Sequence, residues 1–135
     1  MLDRINVLLQ SDESFAFETT LATRTYKQKL IDAAANGFSI KLLFFWLPSI
    51  EMAIDRVAIR VSEGGHNIPS NIIARRYQRG IENLFKIYLP LCNSWMIFDN
   101  EAISKIIAEK LNGQETKIFD KEKWDLISKF NSNYE

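Results

Sequence analysis

The chain has 135 residues, and its 17 basic and 17 acidic side chains leave a formal net charge of zero. That balance excludes a globally cationic protein built for nucleic acid or an anionic membrane surface. An apolar fraction of 47% excludes an intrinsically disordered chain, and the length suits one domain, 1–135, with its own core.

Residues Leu2 to Leu9 read as a helix with Leu2, Ile5, Val7, Leu8 and Leu9 as its apolar positions. "SFAFETT" follows, and the alternation of Phe15 and Phe17 predicts a short buried strand ending at Glu18 to Thr20. Residues 24–36 are helical in composition, with Gly37 as the stop. "FSIKLLFFWL" is nearly all apolar and ends at Pro48; apolar on both faces, it suits a parallel strand covered by helices.

Ser49 caps the next helix, whose apolar face is Ile50, Ala53, Ile54, Val57 and Val61, and Gly64-Gly65 ends it. Ser70 or Asn71 starts another, running to about Leu89 with a stripe of Ile73, Tyr77, Ile81, Leu84, Phe85 and Tyr88. "WMIF" at 95–98 predicts a strand ending at Asp99-Asn100. "KIIAEK" and "TKIF" predict two short strands around an Asn112-Gly113 turn. Residues 120–131 form a last helix with Trp124, Ile127 and Phe130 inward. Strands alternating with helices predict an α/β layer fold with a mostly parallel sheet.

The longest strongly apolar run, Leu42 to Leu47, is far shorter than the ~20 residues that span a bilayer. No secretory signal is legible at the start, and the lone Cys92, in "YLPLCNSW", reads as a buried inert thiol. These features fit a reducing, cytoplasmic setting.

The charge is neutral in total but not in distribution. Five of the seven arginines lie between residues 56 and 79: Arg56, Arg60, Arg75, Arg76 and Arg79. That window holds no lysine and one acid, Glu63. Arg56 and Arg60 are spaced i,i+4, as are Arg75 and Arg79, and like charges so placed repel by ~0.2–0.5 kcal/mol per pair. A polyanionic ligand would turn that cost into binding, because guanidinium groups take phosphate or carboxylate bidentately. The bland alternative is a solvated face whose arginines pair with Glu51, Asp55 or Glu82. His66 has no cysteine or acidic cluster near it to make a zinc site and suits a loop hydrogen bond. Glu18 and Asp99 both stand at predicted strand ends, where open α/β sheets bind ligands.

Taken together, "SFAFETTLATRTY" (14–26), "GFSIKLLFFWLPSIEMAIDRVAIRV" (37–61), "GGHNIPSNIIARRYQRGIENLF" (64–85) and "WMIFDN" (95–100) resemble the zeta toxin-like family of P-loop small-molecule kinases. The resemblance implies a three-layer P-loop kinase-like fold with a helical lid around 56–80. It implies transfer of a phosphoryl group from ATP, with Mg2+, to a small substrate, a nucleotide sugar in the best-known members. Carried over, Glu18, Thr19 and Thr20 line the acceptor pocket, with His66 beside the lid as a further substrate-binding candidate. Arg56 and Arg60 enter the lid, Arg75, Arg76 and Arg79 leave it, and together they clamp the transferring phosphate as catalytic groups. Asp99 and Asn100 lie near the nucleotide.

The family's glycine loop, its lysine and its catalytic aspartate precede the matched region, and no "GxxxxGK[ST]" occurs in this chain. The matched part corresponds to the C-terminal two-thirds of the family's domain. In the family a first strand lies between the strands that are here "FAF" and "IKLLFFWL". Without it both inner edges lose their ladder partner, and either the two strands close up and pair directly or the fragment is marginal and needs a partner chain. Two readings follow: a kinase-family domain inactive alone, with an upstream fragment or antitoxin-like protein as partner, or a non-catalytic module that keeps an anion- or nucleotide-binding pocket.

Overall fold

The computed structural model describes residues 2–132, and their side chains as far as Lys129. In chain order it holds α1 (Leu2–Leu9), α2 (Lys27–Ala35), β1 (Lys41–Trp46), α3 (Ile50–Ser62), α4 (Ser70–Asn83), β2 (Ser94–Asp99), β3 (Lys105–Lys110), β4 (Lys117–Ile118) and α5 (Lys121–Ser132). A π-helical turn at Leu84–Tyr88 and a 3-10 turn at Leu89–Leu91 lead from α4 towards β2. The fold is α/β.

The four strands form one sheet in the order β1-β2-β3-β4. Only β1 and β2 run parallel; β2–β3 and β3–β4 are antiparallel, so the sheet is mixed rather than mostly parallel. The cause is local: β2 returns through a short loop and β3 through the Asn112-Gly113 turn, with Gly113 at φ 75°, and short connections join antiparallel strands.

The strand expected at "SFAFETT" is absent; this segment is irregular. Phe15 stacks on Phe17 and meets Phe38 edge-on, and Phe17 lies against Tyr26. With Ile5, Leu9, Ala33 and Ile40 these rings build a side cluster, so burial is satisfied without a sheet ladder. "FAF" and "IKLLFFWL" therefore do not pair, and β1 forms an edge of the sheet.

β1 is also not buried on both faces. Leu42, Phe44 and Trp46 turn to the core, while Leu43 and Phe45 are 49% and 50% exposed. The core face carries Trp46, Trp95, Ile97, Ile107 and Ala108 and is covered by Ile81 and Leu84 from the α4 and π segment and Ile127 from α5. Trp95 and Trp124 stack face to face with centroids 6.1 Å apart. Ile127 is fully buried, as its position in the last helix implies; the side chain of Phe130 lies outside the described residues.

Helix ends follow their caps. Ser49 Oγ accepts the Met52 N–H at 3.1 Å and opens α3. The double glycine closes it for two separate reasons. Gly64 has φ 100°, a conformation L side chains avoid. Gly65 donates to the Arg60 carbonyl at 2.7 Å, so close that a Cβ there would meet that oxygen at 2.9 Å. The result is a tight hairpin in which α3 packs against α4. α2 is shorter than its composition predicts because Arg24 to Tyr26 form a turn.

Candidate anion-binding site

The α3–α4 hairpin carries all five clustered arginines, and it separates them into two groups. Arg56 is half-buried, and its Nη2 donates to the carbonyls of Asn100 and Glu101, each at 2.8 Å. It thus ties α3 to the loop after β2 and satisfies two main-chain acceptors at the carboxyl end of a parallel strand. This is a structural bond where a phosphate clamp was expected.

Arg60, Arg75, Arg76 and Arg79 are exposed. Among the described residues none of their four guanidinium groups makes a hydrogen bond or ion pair. The acids that were candidate partners do not supply one: Glu82 pairs with Lys86 at 3.3 Å, and Glu51 and Asp55 form no ion pair among the described residues. Arg75 and Arg79 lie on the face of α4 opposite its buried stripe of Ile73, Tyr77 and Ile81, with Arg76 on the flank. Four guanidinium groups on one two-helix unit are therefore open to an anion.

Asp99, by contrast, is not open. It is 5% exposed, and its carboxylate accepts from Lys123 Nζ and, at 2.9 Å, from the Glu101 N–H. Burial pushes its pKa up, but the Lys123 and Glu101 hydrogen bonds and the nearby Lys105 charge outweigh that and hold it below the usual carboxylate range. The Lys123 ammonium is raised in turn, chiefly by its bond to Asp99.

Sequence reasoning missed Lys123, which is delivered from a distance. A bulge in β3 inserts Ile107 opposite the Ile97–Phe98 step. Its carbonyl accepts the N–H groups of Phe119 and Asp120 at 2.8 and 3.1 Å, and Asp120 Oδ1 accepts the Lys123 N–H at 3.1 Å. The start of α5 is thereby fixed and Lys123 is aimed at Asp99. The Asp-x-x-Lys spacing signals the cap alone; the pairing across 24 residues has no sequence signal.

Asn100 Oδ1 accepts from Ser104 Oγ at 3.0 Å within the loop. Glu18, Thr19 and Thr20 sit on an exposed loop tied down from outside: Asn83 Nδ2 donates to the Leu21 carbonyl at 2.7 Å and Tyr88 Oη to the Thr23 carbonyl. The π turn places these two anchors on one side of the segment, an arrangement the helical stripe did not predict. No hydrogen bond or ion pair joins Glu18, Thr19 or Thr20 to the arginines among the described residues. His66 is exposed in the connection between α3 and α4. Of the predicted set, then, the structure joins Arg56, Asp99 and Asn100 in one neighbourhood, keeps Arg60, Arg75, Arg76 and Arg79 on the α3–α4 hairpin, and puts Glu18, Thr19 and Thr20 on a separate loop.

A shallow cleft of about 230 Å³ opens beyond the carboxyl end of β1, between Trp46, Ser49, Glu51, Tyr77 and Leu126. None of the predicted site residues lines it. Tyr77 donates to the Leu47 carbonyl at 2.5 Å, and burial pushes its phenol up to about 12.

Among the described residues no group of three or more His, Cys, Asp and Glu is placed to hold a metal ion, and Asp99 is committed to Lys123. Nor is any described helix long and apolar enough to cross a membrane.

Comparison with known proteins adds little. No family model and no solved structure matches the chain. A curated protein of Haemophilus influenzae (strain ATCC 51907 / DSM 11121 / KW20 / Rd), described only as "Uncharacterized protein", is 33% identical over 63 residues. The match spans 47% of this chain and 45% of that relative, less than half of either.

Proposed function

We propose that the chain is a binding module for a phosphate-bearing ligand, gripped by Arg60, Arg75, Arg76 and Arg79 on the α3–α4 hairpin. One observation carries this reading: four exposed arginines have no acidic partner among the described residues, where the acids that form ion pairs form them with lysine. Unpaired like charges persist at a cost that an anion removes.

The resemblance to zeta toxin-like kinases supports a nucleotide or nucleotide sugar as the ligand, and the lone Cys92 fits a cytoplasmic setting. In this reading the chain binds without transferring phosphate: its sequence holds no "GxxxxGK[ST]" loop, and among the described residues no group of three or more His, Cys, Asp and Glu is placed to hold a metal ion. Titration calorimetry with ATP, UDP-N-acetylglucosamine and inorganic tripolyphosphate tests the reading. Heat that saturates and disappears in Arg75→Ala/Arg79→Ala supports it; no heat with any of the three refutes it.

A further inference from the structure

We infer, building on the anion-binding reading above, that the ligand of the α3–α4 hairpin is the sugar-phosphate backbone of a nucleic-acid strand, bound without regard to its sequence.

The shape of the surface argues against a small ligand. A mononucleotide is held by a concave pocket that buries most of it. Arg60, Arg75, Arg76 and Arg79 stand exposed on two helices, and neither the cleft beside Asn6 and Asp32 nor the one beside Trp46 and Tyr77 is lined by any of them. On such a surface each guanidinium meets its phosphate in water, where a single ion pair is weak. Affinity must come from several contacts made by one ligand and from the counterions that a polyanion releases. A strand supplies a phosphate at every residue and a condensed counterion layer; a single nucleotide brings its phosphates to one point.

The arginines are spread to match. Arg75 and Arg79 repeat after four residues, which sets them about 6 Å apart along α4. Arg76 stands on their flank, and Arg60 lies in the last turn of α3, next to the connection that leads into α4. The start of α4 adds to the same positive field: no side chain caps it and its first turn holds no acid, whereas α3 has the Ser49 cap and Glu51.

The charge balance fixes which face docks. The window from 56 to 79 holds five arginines against one acid, Glu63, so in a chain of zero net charge the remainder is net acidic. A polyanion is drawn to the hairpin and repelled elsewhere. An acidic peptide is the competing polyanion, but the window holds arginine and no lysine, and the guanidinium fork is the group best suited to nucleic-acid phosphates. Bases are not read. α3 and α4 carry one aromatic residue, Tyr77, and it turns inward to the Leu47 carbonyl, so neither helix offers a stacking platform. Phosphate contacts alone carry no sequence information.

Fluorescence anisotropy with labelled single-stranded RNA and DNA of about 20 nucleotides, in two unrelated sequences and at several salt concentrations, tests this. ATP, tripolyphosphate and poly-glutamate serve as competitors. The strands are expected to bind about tenfold or more tighter than ATP, with log affinity falling against log salt at a slope of about −3 for four contacts. Arg75→Ala/Arg79→Ala should roughly halve that slope. Both side chains are exposed, so an unchanged circular dichroism spectrum is expected beside it; Arg4→Ala, on α1, should leave affinity and slope as they are. Tripolyphosphate or ATP binding with strands no tighter keeps the anion site and overturns this ligand. Poly-glutamate that competes as well as a strand, an unchanged slope in the double variant, or a preference above about tenfold between the two sequences also overturns it. No binding of any of these anions at low salt refutes the anion site itself.

Discussion

Arg56 Nη2 reaches the main-chain carbonyl of Asn100 at 2.8 Å, and this bond locks α3 to the end of β2. Replacing Arg56 by alanine leaves the Asn100 and Glu101 carbonyls without their donor. A loss of about 1–3 kcal/mol is expected, read as a lower urea midpoint at unchanged slope. Anion affinity should change less than in Arg75→Ala.

Lys123→Met strands the Asp99 carboxylate beneath α5. Removing one partner of a fully buried pair costs about 3–5 kcal/mol; Lys123 is part-exposed, so on the order of 2 kcal/mol is expected in chemical denaturation.

The same pair fixes the acid limb of the stability curve. Asp99 has a depressed folded pKa, so its contribution is present above the unfolded value near 4 and is lost as pH falls through the folded one. Lys123, raised, contributes below its usual value and loses that contribution only in strong alkali. Denaturation midpoints should be flat in this term between about pH 5 and pH 9 and fall below about pH 4. Asp99→Asn should be less stable at neutrality and show a shallower acid fall. Equal acid slopes in both proteins would show that other groups govern it.

Asn83 is buried and holds the Leu21 carbonyl from the end of α4. Asn83→Ala should release the loop that carries Glu18 to Thr20, at a cost of about 1–3 kcal/mol. Hydrogen exchange should rise in residues 18–24 before it rises in the strands.

Cys92 donates to the Tyr88 carbonyl at 3.1 Å, and burial pushes its thiol up to about 11. Labelling by a thiol reagent near pH 8 should be slow in the native protein and fast in urea. Rapid native labelling would contradict its part-buried setting.

Much of this fold was legible because its signals are local. The Ser49 cap, the Gly64-Gly65 stop and the Asn112-Gly113 turn each act within a few residues, and each fell where the sequence put it; the helical stripes held only in part, since Ile5 and Leu9 are buried in α1 while Val7 is 69% exposed. "SFAFETT" failed because period-two alternation records burial, not pairing: Phe15 and Phe17 bury against Phe38 and Tyr26 without a ladder. The open face of β1 was illegible for a related reason. An apolar run does not say whether both sides find a cover, and Leu43 and Phe45 find none that buries them. The arginine cluster could be read as a charge anomaly. That Arg56 is bonded to main chain while its four neighbours are free depends on contacts across 44 residues, which sequence spacing does not carry.

The central claim is that the free arginines of α3 and α4 hold a phosphate-bearing anion. Its most direct test is calorimetric titration of tripolyphosphate into wild type, Arg75→Ala and Arg75→Ala/Arg79→Ala at low and high salt. The predicted result is saturable binding that weakens about tenfold with each arginine removed and weakens further with salt. Binding of unchanged affinity in the double variant, or none in wild type at low salt, would contradict it.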